Sequence, residues 1–130
     1  MIIVLLGNPI TKKNSQRILY KFLGRGRKTP FIAPSKAFVD YQESCLLQIK
    51  RPPSPISARV NMRCIYYMKT KHKVDLGNLL AATCDILVKA KVLEDDNCKI
   101  VAAHDGSRVR YDKIFPRVEI EITEMEDEIP

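Results

Sequence analysis

The stretch ISARVNMRCIYYMKTKHKVDLGNLLAATCDILVKA, residues 56–90, changes its hydrophobic period once, and that change sets the fold class. Over residues 56–68 the chain alternates, with Ile56, Ala58, Val60, Met62, Cys64 and Tyr66 on one face and Ser57, Arg59, Asn61 and Arg63 on the other. That is the pattern of a strand with one buried face. From Asp75 to Ala90 the period lengthens. With each residue turned by about 100°, Leu76, Leu79, Leu80, Thr83, Ile86, Leu87 and Ala90 gather within about 120°, so this stretch predicts an amphipathic helix. Asp75, Asn78, Ala82 and Asp85 share the adjoining face. Between strand and helix lies KTKHK, residues 69–73, which delivers three lysines and His72 just before Asp75.

The flanking sequence supplies the rest of one core. Residues 2–6 are a β-rich apolar run stopped by Gly7, Asn8 and Pro9, and they feed into the basic segment PITKKNSQR. Residues 17–22 and 30–32 read as two arms of a ribbon joined by LGRGRK, whose glycines permit a tight turn. Ser35 is the expected N-cap of a first helix, in which Phe38, Tyr41, Cys45, Leu46 and Ile49 recur at three- and four-residue spacing until Pro52 and Pro53 stop it. After the turn at LEDDN, residues 99–104 and 117–123 predict two further strands. No repeat or linker divides the chain. The expectation is a single α/β (α+β) domain over residues 1–123, a mixed β-sheet flanked by two helices, followed by an acidic tail at 124–130.

At 130 residues and 45% hydrophobic content the chain is long enough to bury a core, which a partner subunit would enlarge, and it is neither disordered nor membrane-like. The opening MIIVLLG has too short an apolar run for a signal peptide, so a soluble, cytoplasmic protein is expected. Cys45, Cys64, Cys84 and Cys98 are scattered without a CxxC pair, which points to buried or idle thiols rather than zinc or disulfides.

Charge is distributed unevenly around a net of +7. Residues 1–36 hold eight Lys and Arg and no acid, whereas residues 119–130 hold six acids and no base. Residues 1–118 therefore contain all 22 bases but only nine of the 15 acids, an excess of +13 that suits a polyanion such as nucleic acid. Lys12, Lys13, Arg17, Arg25, Arg27 and Lys28, joined by Lys71 and Lys73 before the second helix, are the candidate phosphate contacts, reading backbone shape rather than bases.

Two acidic features flank the second helix. Asp75 opens it and LEDDN, residues 93–97, follows it. Phosphodiester hydrolysis assisted by Mg²⁺ needs such carboxylates, because the ion prefers oxygen ligands, stabilises charge on the phosphate and activates water. The plain structural reading is that Asp75 is a helix N-terminal acid favoured by the dipole and that the turn acids are solvated. Tyr66 and Tyr67 read as packing residues, and His72 and His104 as surface or hydrogen-bonding histidines.

The order of GNPITKKNSQR, then KVDLGNLL, then CDILVKAKVLEDDN resembles the RusA family of Holliday junction resolvases over about residues 3–122. Members read D-x-D-N-L at the start of this helix, a lysine three residues after the asparagine, a later helical aspartate and a D-D pair after a short turn. On that resemblance Asp75 is the first acid, Asn78 the asparagine, Asp85 the helical aspartate, and Asp95 with Asp96 the terminal pair. The second acid position falls on Gly77 and the lysine position on Ala81.

The resemblance implies a RusA-like fold, a homodimer and a crossover junction endodeoxyribonuclease that uses Mg²⁺, with Mn²⁺ able to substitute. Asp75, Asp95 and Asp96 would be the catalytic and metal-binding acids, supported by Asn78 and Asp85. Branched DNA, above all a four-way junction, would be the partner. Gly77 and Ala81 leave three alternatives. The first is cleavage by a rearranged site recruiting Asp85, Glu94, or His104 and Asp105, with Lys71, Lys73 or Arg108 supplying the missing charge. The others are junction binding without cleavage, or neither.

Overall fold

β4 (Val60–Met68) is the strand around which the sheet is built. The computed structural model describes residues 1–12 and 17–126. The chain runs β1 (Ile2–Leu6), β2 (Arg17–Gly24), β3 (Arg27–Ala33), α1 (Lys36–Gln48), β4, α2 (Leu76–Lys89), β5 (Val101–Ala103), β6 (Arg108–Tyr111) and β7 (Arg117–Glu124). The main sheet has the order β1-β7-β4-β5, with β6 also on β4, while β2 and β3 form a separate two-stranded ribbon. β7 is antiparallel to both β1 and β4, and β5 and β6 are parallel to β4, so the mixed sheet and two helices match the expected class.

Alternation along the strands creates the core. Leu5, Val118 and Tyr66 lie in one row, Ile120 and Cys64 in the next and Ile122 and Met62 in a third, all buried on the same face. Leu79, Ile86 and Leu87 of α2 and Cys45 of α1 complete this cluster. Burying Tyr66 requires a partner for its hydroxyl, which lies 2.7 Å from the Thr83 hydroxyl of α2. Thr83 also donates to the Leu79 carbonyl at 3.0 Å, so a satisfied polar chain ties β4 to α2 inside an apolar core. Three of the four thiols are buried, and Cys98 is exposed.

α1 begins where Ser35 accepts a hydrogen bond from Phe38 N at 3.1 Å, as its sequence position predicts. α2 starts one residue after the predicted position because Asp75 is itself the cap, accepting from Asn78 N at 3.1 Å. β4 starts at Val60 rather than 56. Ile56 instead makes an isolated parallel bridge to Leu93, with Ile56 N donating to Val92 O and Glu94 N to Ile56 O.

The strand expected at 99–104 contracts to Val101–Ala103. Asn97 diverts the residues before it, its side chain accepting from Lys99 N and its carbonyl from Ile100 N and Val101 N. β6 is an additional strand that sequence periodicity did not predict. β5 and β6 share one edge of β4 with a gap between them, which side chains fill: Asp105 N donates to Asn61 Oδ1 at 2.8 Å, His104 Nδ1 lies 2.9 Å from Met62 O, and Cys64 N donates to Ser107 Oγ at 3.0 Å. Gly106 permits this turn, with φ +85° and the Arg63 side chain 2.8 Å from where a Cβ would stand.

The ribbon closes through Arg25 and Gly26, both at positive φ, as a type I′ hairpin turn requires. At the far end of the described residues, the first part of the acidic tail continues from β7: Met125 N donates to Arg59 O and Arg59 Nη1 to Glu126 O, each at 2.8 Å. No helix among the described residues is long and apolar enough to cross a membrane.

Candidate functional site

The acidic side chains are presented by the two ends of α2 and the turn that follows it. Asp75 is held by its capping bond, which fixes one carboxylate oxygen and leaves the other facing solvent. Gly77, in the first turn, keeps that carboxylate uncrowded: a Cβ there would stand 3.1 Å from Asp75 Oδ1. Asp85 lies ten residues along the helix, about 15 Å of axial rise, so Asp75 and Asp85 cannot reach one ion together.

In the turn, Asp95 accepts from Asp96 N at 2.7 Å and from Asn97 Nδ2 at 3.0 Å. Those donors, the Asp96 amide first, hold the Asp95 carboxyl below the ordinary carboxylate range. Asp96 shifts the other way. Partial desolvation raises it, followed by Asp95 and then the charge of Asp85. The same field reaches Cys84, whose thiol burial, then Asp96, then Cys64 and Asp85 push up to about 12. Asp85, on the second half of α2, and Asp95, in the turn after it, thus both act on Asp96. Among the described residues, no three His, Cys, Asp or Glu side chains gather closely enough to hold a metal.

The donor chemistry fits a hard divalent cation. The candidate ligands are carboxylate oxygens, and Asp96 is pushed up beside two like charges, a repulsion that a bound cation would relieve. The His104 ring and the Asp105 backbone bridge the gap between β5 and β6.

The basic candidates take distinct places. Lys12 Nζ lies 3.4 Å from Asp85 Oδ2, bringing the head of the basic segment to the acids across 73 residues of sequence. Lys13 lies outside the described residues. Arg17 Nε donates to Pro34 O at 3.1 Å at the base of the ribbon, and Arg25 and Arg27 stand at its tip. Lys28 sits 4.7 Å from the centre of the Tyr20 ring, and Lys71 5.1 Å from that of Tyr111. Lys73 is exposed two residues before Asp75. Sequence reading missed the exposed apolar side chains of the ribbon, which have no core to face.

The opposite face of the sheet mixes exposed apolar side chains with paired charges. Ile2, Glu121 and Arg63 form one row, Val4, Glu119 and Ile65 the next, and Leu6, Arg117 and Tyr67 the third. Arg117 bonds Glu119 at 3.1 Å and Asp112 at 3.0 Å and stacks 3.9 Å from the Tyr67 ring centre. Tyr66 is in the core and Tyr67 packs across strands, as their sequence positions suggested.

Carboxylates met by a basic segment, on a chain whose first 36 residues carry no acid, define a protein of the class that handles nucleic acid. The sequence matches the family described as endodeoxyribonuclease RusA over residues 7–123, and the chain belongs to that family. The family acts on DNA at Holliday junctions and other branches, and its nucleases generally depend on a divalent metal. No curated protein is matched by the sequence.

Proposed function

We propose that the chain is a Mg²⁺-dependent, structure-selective endonuclease that resolves Holliday junctions or other branched DNA in recombination and repair. The observation that carries this reading is the Lys12–Asp85 pair, which brings the basic segment to the group in which Asp85 and Asp96 share a field. Phosphate-binding charge and metal-binding oxygen are thereby available at one place.

In this reading Asp75, Asp95 and Asp96 hold the cation, directly or through water, with Asn78 orienting Asp75 and Asp85 acting on Asp96. When bound, the ion would activate water and offset charge on the scissile phosphate. Asp75 is kept in one orientation by its cap, and Asp95 by two donors, so neither carboxylate has to be ordered at the moment of binding. Lys12, exchanging Asp85 for a phosphate, would position the strand, with Lys13, Arg17, Arg25, Arg27, Lys28, Lys71 and Lys73 holding the arms of the branch.

A homodimer would set two such sites against two scissile strands. The outer sheet face supports this, since Ile2, Val4 and Leu6 are exposed beside the Arg63–Glu121 and Arg117–Glu119 pairs, a surface both apolar and charge-balanced. The compartment proposed is the cytoplasm.

Gly77 and Ala81, with no three metal-ligating groups gathered among the described residues, favour one alternative: a weakened or inactive protein that binds branched DNA without cutting. A mobile four-way junction with Mg²⁺ or Mn²⁺ separates the two. Paired symmetrical nicks that disappear in Asp75→Asn support the nuclease, and tight binding without nicks supports the binder.

A further inference from the structure

The β2–β3 ribbon carries an apolar ridge that its own fold leaves uncovered. Strand register places Ile18 opposite Ile32, Tyr20 opposite Pro30 and Phe22 opposite Lys28, so these side chains share one face. Phe22 is 80% exposed, Ile32 71%, Ile18 64% and Tyr20 51%. An exposed apolar patch of this kind on a two-stranded ribbon marks an interaction site, because such a ribbon gains little stability alone.

Charge decides the occupant. Residues 17–33 contain five bases, Arg17, Lys21, Arg25, Arg27 and Lys28, and no acid. Two ribbons packed ridge to ridge would double that charge with nothing to balance it. DNA supplies phosphates for the bases, but a paired duplex keeps its apolar base faces inside the stack. Only a branch or gap offers open faces to Tyr20 and Phe22. The Lys28 ammonium lies over the Tyr20 ring, 4.7 Å from its centre, and its strand position is opposite Phe22, so a phosphate ligand shares the face on which Phe22 leads the stacking.

We propose that the ridge of the ribbon, led by Phe22 and Tyr20, stacks on unpaired bases at a DNA branch point while the flanking arginines and lysines grip the adjoining phosphates. This inference rests on the branched-DNA reading for its substrate, and it concerns base contact, not cleavage.

The test uses the full chain without divalent metal and a four-way junction carrying 2-aminopurine at the branch, whose fluorescence rises when the base unstacks. The wild type should raise that fluorescence at least about twofold. Tyr20→Ala with Phe22→Ala should abolish the rise and weaken junction binding by about tenfold or more. Binding to a linear duplex should stay within about twofold and keep its salt slope, since the bases remain. Phe22→Leu should lose most of the rise and Phe22→Tyr should keep it, which separates stacking from mere apolar contact. Saturating wild-type binding with no fluorescence rise overturns the proposal. So does a change of molar mass in DNA-free solution on Phe22→Ala, which would identify a second copy as the occupant. Nicking in a parallel assay with Mg²⁺ but no fluorescence response leaves the proposed function standing and removes this inference; the response with no nicking in that parallel assay keeps this inference and removes cleavage.

Discussion

Asp75 has two roles that substitution can separate. Its carboxylate caps α2 by accepting from Asn78 N at 3.1 Å, and it is the proposed first acid of the metal site. Asn keeps an oxygen acceptor in the same place and ranks with Asp as a cap, so Asp75→Asn loses only the interaction of the charge with the helix dipole, a few tenths of a kcal/mol at an exposed position. Asp75→Ala removes the cap as well and costs about 1 kcal/mol. For a chain of this length that is a fall in Tm of roughly 3–6 °C, against about 1–2 °C for Asn. Catalysis should not follow this order. If the negative charge helps hold the ion that stabilises the phosphate, both variants should lose about 10²–10³-fold in the rate of junction cleavage. Thermal unfolding and single-turnover cleavage at 25 °C, where both variants are folded, measure the two effects separately. Full activity in Asp75→Asn together with reduced activity in Asp75→Ala would refute the catalytic role and leave Asp75 as a cap alone.

The remaining predictions concern the neighbouring groups. Gly77→Asp places a second acid beside Asp75; the loss of a helical glycine and a repulsion of about 1 kcal/mol nearly offset one another, so without metal its stability should lie within about 1 kcal/mol of wild type. Millimolar Mn²⁺ should then raise its Tm by at least about 5 °C more than it raises that of the wild type, and equal shifts would show that residue 77 is remote from the ion. Asp96 is raised above the ordinary value of 3.8 by desolvation, Asp95 and Asp85, so the folded state retains a proton that the unfolded state releases. Its ionisation therefore costs stability as pH rises from 3.8 through the raised value, and the penalty is complete above it. Metal-free Asp96→Asn should accordingly unfold at higher denaturant concentration than wild type at pH 7 and show a flatter stability profile across that window; a variant no more stable than wild type would oppose this account. Lys12→Gln should reduce the slope of log binding constant against log salt by about 1, while the lost, half-exposed pair with Asp85 costs at most about 1 kcal/mol of stability. Tyr66→Phe should cost about 1 kcal/mol in denaturant unfolding without altering junction binding, since its hydroxyl bonds Thr83 inside the core.

Burial and local geometry were legible in the sequence. The alternation around Val60–Tyr66 and the stripe from Leu76 to Leu87 record which side chains must leave water, and Ser35 records a helix start whose amide needs an acceptor. The RusA motif identified the family through residues whose order along the chain is itself the signal. What the sequence could not show depends on partners distant along the chain. β6 is exposed at all four residues, so no hydrophobic period announces it, and it is a strand only because β4 presents a free edge after Cys64. The contraction of β5 and the use of His104 as a bridge follow from the same gap in that edge. The ribbon ridge looks like core in sequence, and only the tertiary arrangement reveals that nothing of its own sheet covers it. Lys12 and Asp85 each stand out in the sequence, but for separate roles; their pairing, and the field that links Asp85 to Asp96, exist because the folded chain carries the basic segment to the helix. A local pattern encodes the free energy of leaving water, whereas a charge takes its meaning from what the completed fold sets beside it.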